Sequence, residues 1–359
     1  MKRIIILGGG AIGAATAYFL AKRGATPVVV ERNEVGGAAS GKSGGFLAYD
    51  WCRGTALDPL ARRSFTLHAE LAEELGNPWL YQRLRTFAGH ASGKVAATIS
   101  GQIGTPETTA IVEPRAYTQG LVKATQARGG QLVKGAAADL LREAGGAVTG
   151  VKLESGETIE GDAVVIALGP WSLLASRWLP LPAVYGVKGH SLVFDAGKGS
   201  LNEALFLEVE DGVTDGPGDP VLTPEIFPRS DGTVWACAIS SQPSLPVDPA
   251  RVGPDPGAHA RLEALCRAVV PALATAPIVA KQACFRPLTE DGLPLIGAVP
   301  GAPGAYVATG HSVWGMLNSP ATGEAMAELL LDGAAKTVDL RRFDPGRLEP
   351  LNPKALMSS

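Results

Sequence analysis

Apolar residues fall along this chain in three kinds of run, and their order predicts its architecture. The first kind is continuous. Ile4-Ile5-Ile6-Leu7 and Val28-Val29-Val30 carry no polar interruption, the pattern of strands buried on both faces of a parallel sheet. Residues 14–22 between them read as a helix, with Gly24 suited to its stop. Continuous runs return at 163–168 and 305–308. The second kind is helical. One helix is expected with Asp58 as N-cap, Pro59 in its first position and Gly76 past its end, and another opens at Glu113-Pro114-Arg115 and closes near Gly129-Gly130. Others are expected at 257–270, ended by Pro271, and from about 320 to 331. The third kind is short and β-like, at 186–194, 205–209 and 233–239, with Ser230-Asp231-Gly232 as a hairpin turn. Residues 78–110 read as mixed strands and loops, and the Pro/Gly cluster at 212–224 reads as a surface loop.

The opening runs enclose Gly8-Gly9-Gly10-Ala11-Ile12-Gly13, and Glu31 closes the second strand. Strand, glycine turn, helix and strand ending in an acid form the dinucleotide-binding unit. Gly8 allows the tight turn, Gly10 lets a pyrophosphate reach the backbone, and Gly13 lets helix and strand pack closely. The helix N-terminus offers free N–H groups to phosphate, and Glu31 sits about 20 residues beyond Gly10, where an acid binds ribose hydroxyls. These glycines alone do not choose between FAD and a nicotinamide cofactor. The loop that follows, Ser40-Gly41-Lys42-Ser43-Gly44-Gly45-Phe46, carries little bulk, several hydroxyls and one cation, and can line a pyrophosphate at close range.

The return of α/β character at the C-terminus implies a split nucleotide domain. The expected fold class is α/β (α+β overall): a Rossmann-like domain at 1–77, 111–172 and 283–359, and a mostly antiparallel β-sheet substrate domain at 78–110 and 173–282. A cofactor held from both ends suits that arrangement.

Composition narrows the class further. Apolar residues at 46% and charged residues at 19% describe a globular protein, and a net charge of −3 without a basic stripe argues against nucleic acid as partner. No apolar run approaches the roughly 18 residues that span a bilayer, so no integral membrane segment is expected. Met1-Lys2-Arg3 leads straight into a strand that the fold needs, so no removable signal is expected. Cys52, Cys237, Cys266 and Cys284 are scattered and lack metal-ligand spacing. Reduced thiols, a cytoplasmic setting and no metal follow as expectations.

Six blocks together carry a resemblance. They are the glycine turn with Glu31, the loop at 37–45, Ile111-Val112-Glu113-Pro114-Arg115, Ala167-Leu168-Gly169-Pro170-Trp171-Ser172, residues 284–297 from Cys284-Phe285-Arg286 to Gly297, and Gly310-His311-Ser312-Val313-Trp314-Gly315-Met316. In order and content they resemble the FAD-dependent amino-acid and amine oxidoreductases, the group of D-amino-acid oxidase, glycine oxidase and sarcosine oxidase. The resemblance is weak at 173–281, where substrate choice should lie. It implies FAD held by Gly8, Gly10, Ala11, Ile12, Gly13, Glu31, Arg32, Ser40, Lys42, Ser43, Gly44, Gly45, Phe46, Gly169, Trp171, Cys284, Gly310, Ser312, Gly315 and Met316. It also places a carboxylate clamp at Arg286, whose guanidinium fork matches a carboxylate. The alternative for Arg286 is a structural ion pair with Glu290 or Asp291. His311 is expected to hydrogen-bond flavin or substrate, or to be a satisfied structural residue. Cys284 is expected to leave FAD non-covalent, with the thioether of sarcosine-type relatives as the alternative. Lys188 and His190 read as a solvated strand end, or as groups approaching the flavin. Tyr49, Trp51, Tyr185 and Trp314 are candidates for a pocket or for the core.

The function so implied is oxidation of the C–N bond of a small amino acid or secondary amine, by hydride transfer from the α-carbon to flavin N5. The imine product hydrolyses, and oxygen or another acceptor takes the electrons. No strong general base is required by that chemistry. Two alternatives stand: a flavin-dependent 2-hydroxy-acid oxidoreductase, which Arg286 would serve equally, and a flavin-binding trafficking or regulatory protein with little turnover. The second rests on Gly41-Lys42-Ser43-Gly44-Gly45-Phe46-Leu47-Ala48, which is similar to a branch of the family linked to membrane trafficking in fungi.

Overall fold

The continuous apolar strands assemble as their pattern requires. The computed structural model describes residues 1–92, 95–210 and 221–352. Its nucleotide sheet runs in the order Leu295–Ala298, Ala305–Thr309, Ala163–Ile166, Arg3–Leu7, Thr26–Glu31, Gln131–Lys134. Neighbours are parallel except at the Leu295–Ala298 edge, which is antiparallel. Alternation divides the first strand between two cores. Ile4 and Ile6 meet α1 (Ala11–Lys22), α3 (Asp58–Leu75), α4 (Pro114–Ala127) and α6 (Gly315–Asp332). Ile5 and Leu7 meet the strands Ala137–Arg142, Val148–Leu153 and Thr158–Glu160 on the opposite face. Each of these fully buried aliphatic side chains contributes roughly 1.5–3 kcal/mol of transfer free energy. The short α2 (Ala39–Lys42) lies between the second strand and Phe46–Ala48.

The second sheet is the larger. Its order is Ile278–Leu288, Tyr185–Asp195, Thr233–Ser241, Glu225–Pro228, Ala204–Glu210, Thr86–Ser92, Thr98–Gly104. All pairs are antiparallel except Ala204–Glu210 with Thr86–Ser92. Helix α5 (Ala258–Val269) covers one side through Leu262, Leu265 and Val269. The expected turn at 230–232 joins Glu225–Pro228 to Thr233–Ser241, with Gly232 at φ 97°. Strands within 78–110 divide. Gln82–Arg83 and Thr109–Ile111 form a small sheet with Phe46–Ala48, while the two strands between them join the large sheet. Of the loop expected at 212–224, residues 212–220 lie outside the described residues, and Val221–Leu222 pairs with Ala204–Glu210. Among the described residues no helix is long and apolar enough to cross a membrane.

One expectation fails in an instructive way. The last helix begins at Gly315, not near Pro320, and the proline sits inside it. Proline removes the bond its N–H would make to the carbonyl of Met316. That carbonyl instead accepts from His68 Nε2 at 3.0 Å and Ser319 Oγ at 2.9 Å. Leu317 O likewise accepts from His68 Nε2 at 3.1 Å, and the Ala321 N–H donates to Ser64 Oγ at 3.1 Å. Two polar residues of α3 thus repair the break. A Cβ at Gly323 would lie 2.5 Å from the Ala15 carbonyl carbon, so glycine lets α6 rest on α1.

His68 carries a pH prediction. It is fully buried, and burial pulls its pKa from 6.5 to about 4. A depressed histidine contributes stability above its unfolded pKa and loses it as pH falls from 6.5 toward 4. Between pH 6.5 and 5 the loss is about 2 kcal/mol. His68→Gln keeps an N–H donor without a titrating ring, so unfolding at pH 7 and pH 5 should show a smaller acid loss than wild type. An equal loss would refute this role.

Candidate active site

Between the two sheets lies a cavity of about 1050 Å³, at the upper end for small-molecule sites. One end is the C-terminal edge of the nucleotide sheet. Gly8 has φ 109°, and a Cβ on it would lie 2.4 Å from Ala167 O. Gly10 faces the cavity at the N-terminus of α1, where the Ala11 N–H donates to Ser40 Oγ at 2.9 Å. Glu31 is held by the Gly9 N–H at 2.7 Å and the Asn33 N–H at 2.9 Å, one on each oxygen. Each oxygen retains a lone pair for a ribose hydroxyl. Arg32, also on the wall, is paired with Glu154.

The loop after Glu31 is shaped by close approach. A Cβ at Gly44 would lie 2.3 Å from the Phe227 ring, and Gly45, at φ 80°, would place one 2.1 Å from Val112 O. Lys42 donates to Ala283 O at 3.1 Å, and its own carbonyl accepts from Trp235 Nε1 at 3.1 Å. These bonds fasten the loop to the large sheet. The wall also comprises Gly310, His311, Ser312, Gly315 and Met316. Gly310 has φ 79°, and Ser312 adopts φ 50° without being glycine, a local strain. Gly169 at φ 56° and Trp171, which donates to Pro246 O at 2.7 Å, complete the middle.

These features fit FAD. The glycine turn, the acid Glu31 and the N-terminus of α1 line the same cavity as the first residues of a second helix, Gly315 and Met316 of α6. His311 is 3% exposed, and Nε2 shares a hydrogen bond with Thr322 Oγ1 at 3.1 Å. Its Nδ1 is buried with no protein partner among the described residues. Burial lowers its pKa to about 3, so the ring stays a neutral imidazole near pH 7.

Arg286 lies on Ile278–Leu288, in the large sheet. Its Nη1 donates to Ser240 Oγ at 3.2 Å, and Nη2 lies 3.9 Å from Cys237 Sγ. Neither acid offered as a structural partner, Glu290 or Asp291, pairs with it among the described residues. Asp291 holds Arg347 at 2.7 Å, and Arg286 makes no ion pair among the described residues. Cys284 is on the wall, and burial raises its thiol to about 11.

Other expectations need correction. Gly13 does not line the cavity. A Cβ there would lie 2.0 Å from Gly8 O, so Gly13 acts from behind by letting turn and helix touch. Lys188 and His190 are not a solvated strand end. Lys188 is buried and paired with Asp255, off the cavity wall. His190 is buried on the wall and accepts from the Asp255 N–H at 3.0 Å. Trp51 and Trp314 line the cavity, but Tyr49 packs on Phe65 and Tyr185 is 52% exposed. Sequence reasoning missed Glu225, Cys237, Phe206, Phe227 and Trp235, all on the wall. Phe46 and Phe227 stack at 5.0 Å and Phe227 and Trp235 at 5.4 Å, so the substrate end is largely aromatic.

Comparison with known proteins agrees. The family described as FAD dependent oxidoreductase matches residues 3–91 and 88–329. The glycine oxidase of Pseudomonas putida is 27% identical over 387 residues, covering 97% of this chain and 99% of its own. The uncharacterized oxidoreductase YurR of Bacillus subtilis is 28% identical over 396 residues, covering 96% and 99%. The crystal structure of glycine oxidase from Geobacillus kaustophilus superposes with a TM-score of 0.80 at 25% identity, covering 96% of this chain and 99% of that one.

Proposed function

This chain belongs to the FAD dependent oxidoreductase family, and from that premise we propose that it oxidises the C–N bond of a small amino acid or secondary amine whose carboxylate is held by Arg286. It is an FAD-dependent enzyme. The observation that carries the substrate reading is Arg286 itself: a guanidinium on the cavity wall whose partners are a hydroxyl and a thiol and not a carboxylate. Such a fork matches a ligand carboxylate with two parallel hydrogen bonds.

Bound FAD supplies the electron sink for the two electrons and hydrogen that leave the substrate's C–H bond. The residues of the chain do the rest. Arg286 fixes one end of the substrate, which sets the angle and distance of its α-carbon. The aromatic wall of Phe46, Trp51, Phe206, Phe227 and Trp235 excludes water, which strengthens the charge contact. Neutral His311, held by Thr322, shapes the wall without adding charge. The N-terminus of α6, on the wall at Gly315 and Met316, favours negative charge there. The imine product hydrolyses in water after release.

FAD is held without a covalent bond in this reading. The burial that raises the Cys284 thiol to about 11 keeps it protonated near neutrality, and the thiolate is the nucleophile. Acid precipitation should therefore leave a white pellet and a yellow supernatant. A yellow pellet would point to a thioether.

Product analysis tests the reaction. Incubation with glycine, sarcosine, D-alanine and L-proline, with oxygen or a dye as acceptor, should yield a carbonyl product, with one equivalent of ammonia or methylamine from the acyclic substrates. Turnover of 2-hydroxy acids alone would replace this reading with the hydroxy-acid one.

A further inference from the structure

Arg286 shares the substrate wall with a charge of opposite sign. Glu225 begins the strand Glu225–Pro228, whose register sets it beside Phe206 on one neighbour and Cys237 on the other. Its Oε2 accepts from Cys237 Sγ at 3.6 Å, and the Arg286 guanidinium reaches the same sulfur at 3.9 Å. Carboxylate and guanidinium therefore flank one thiol, both on the cavity wall, and among the described residues they form no ion pair with each other. The two charges stop short of each other, joined through the Cys237 sulfur, and both line the cavity, so a ligand that carries both signs can meet them from the cavity side. An amino acid bears its ammonium and its carboxylate on one carbon and so carries both.

Resting on the amine-oxidation reading above, we propose that Glu225 receives the substrate's amino group, accepting a hydrogen bond from the ammonium and then its proton, so that the free amine is formed inside the cavity. The N–H bond breaks, an O–H bond forms on the Glu225 carboxyl, and the electron pair stays on nitrogen. No oxidant takes part in this step. It matters because only an amine with a free lone pair can become an imine as its α-hydrogen leaves, whereas most amino acids enter as ammonium at neutral pH.

The surroundings suit a proton acceptor. Burial raises the Glu225 carboxyl above its ordinary value, and Arg286 and the Cys237 hydrogen bond pull it back. The groups facing it are Arg286 from Ile278–Leu288, the Cys237 thiol from Thr233–Ser241, and Phe206 from Ala204–Glu210. Cys237 is itself pushed well up by burial and remains a thiol, so it offers no competing negative charge. The aromatic rings nearby also accept a cation over their faces.

The test uses the FAD-loaded enzyme mixed anaerobically with whichever of glycine, sarcosine, D-alanine or L-proline bleaches wild type fastest, across pH 6–10. In Glu225→Gln the proton must leave to solvent, so bleaching should depend more steeply on pH than in wild type. The rate at pH 7 should then fall about thirtyfold and largely recover at pH 10. Glu225→Asp should retain most of the wild-type profile, which a merely structural role would not predict. Propionate, which lacks the ammonium, should bind Glu225→Gln at least as tightly as wild type. An unchanged profile in Glu225→Gln with a pH 7 rate within twofold of wild type overturns the proposal, and so does weaker propionate binding. Wild type that none of the four substrates bleaches sinks the amine-oxidation reading first, and the proton transfer with it.

Discussion

Arg286→Leu is expected to cut kcat/KM for amino acids by roughly 30- to 3000-fold, the consequence of losing about 2–5 kcal/mol from a desolvated charge pair. Most of the loss should fall on KM, because the carboxylate is gripped before and during the reaction. FAD content should not change, since the hydrogen bonds of Arg286 run to Ser240 and Cys237 on the large sheet. Amines without a carboxylate should lose little, which separates a clamp from a general structural effect. Arg286→Lys should recover only part, because an ammonium offers a point charge where the guanidinium offers a fork. Equal losses for substrates with and without a carboxylate would contradict the assignment.

Gly13→Ala should have the second large effect, on cofactor retention. The added Cβ would stand 2.0 Å from the Gly8 carbonyl oxygen, and no flexible side chain can yield there. Turn and helix must separate, which displaces the Gly10 and Ala11 backbone. Overpacking of this kind costs about 3 kcal/mol or more, a fall in Tm of roughly 4 °C or more for a chain of this length. The variant should purify colourless. Gly101→Ala is the matched control, because a Cβ there meets nothing within 4 Å and the backbone needs no left-handed conformation. Full FAD occupancy in Gly13→Ala would show that the close contact does not govern binding.

What could be read from the chain alone was local. The strand of Ile4 to Leu7, the glycine turn and the helix after it are encoded within about thirty consecutive residues, so spacing suffices to place Gly8, Gly10 and Glu31. Pro320 shows where local reading stops. Proline normally opens a helix, and its place inside α6 depends on donors from Ser64 and His68, some 250 residues away. Glu225 was invisible for the same reason. A charged residue at the start of a strand reads as its wet end, and strand pairing with Cys237 and Phe206 brings it to the cavity wall. Lys188 looked solvated because Asp255, which covers it, is distant in sequence. The pattern is physical: backbone turns and helix ends are fixed by neighbours in sequence, whereas the charge environment of a site is fixed by tertiary pairing.

The central claim is that this cavity presents a small amine-bearing carboxylate to bound FAD. Anaerobic mixing of the purified enzyme with matched pairs of substrates (alanine with lactate, glycine with glycolate) tests it most directly, with the visible flavin absorbance as readout. Bleaching is expected with the amino member of each pair and not with the hydroxy member. Bleaching by the hydroxy acids alone, or by neither, would contradict it.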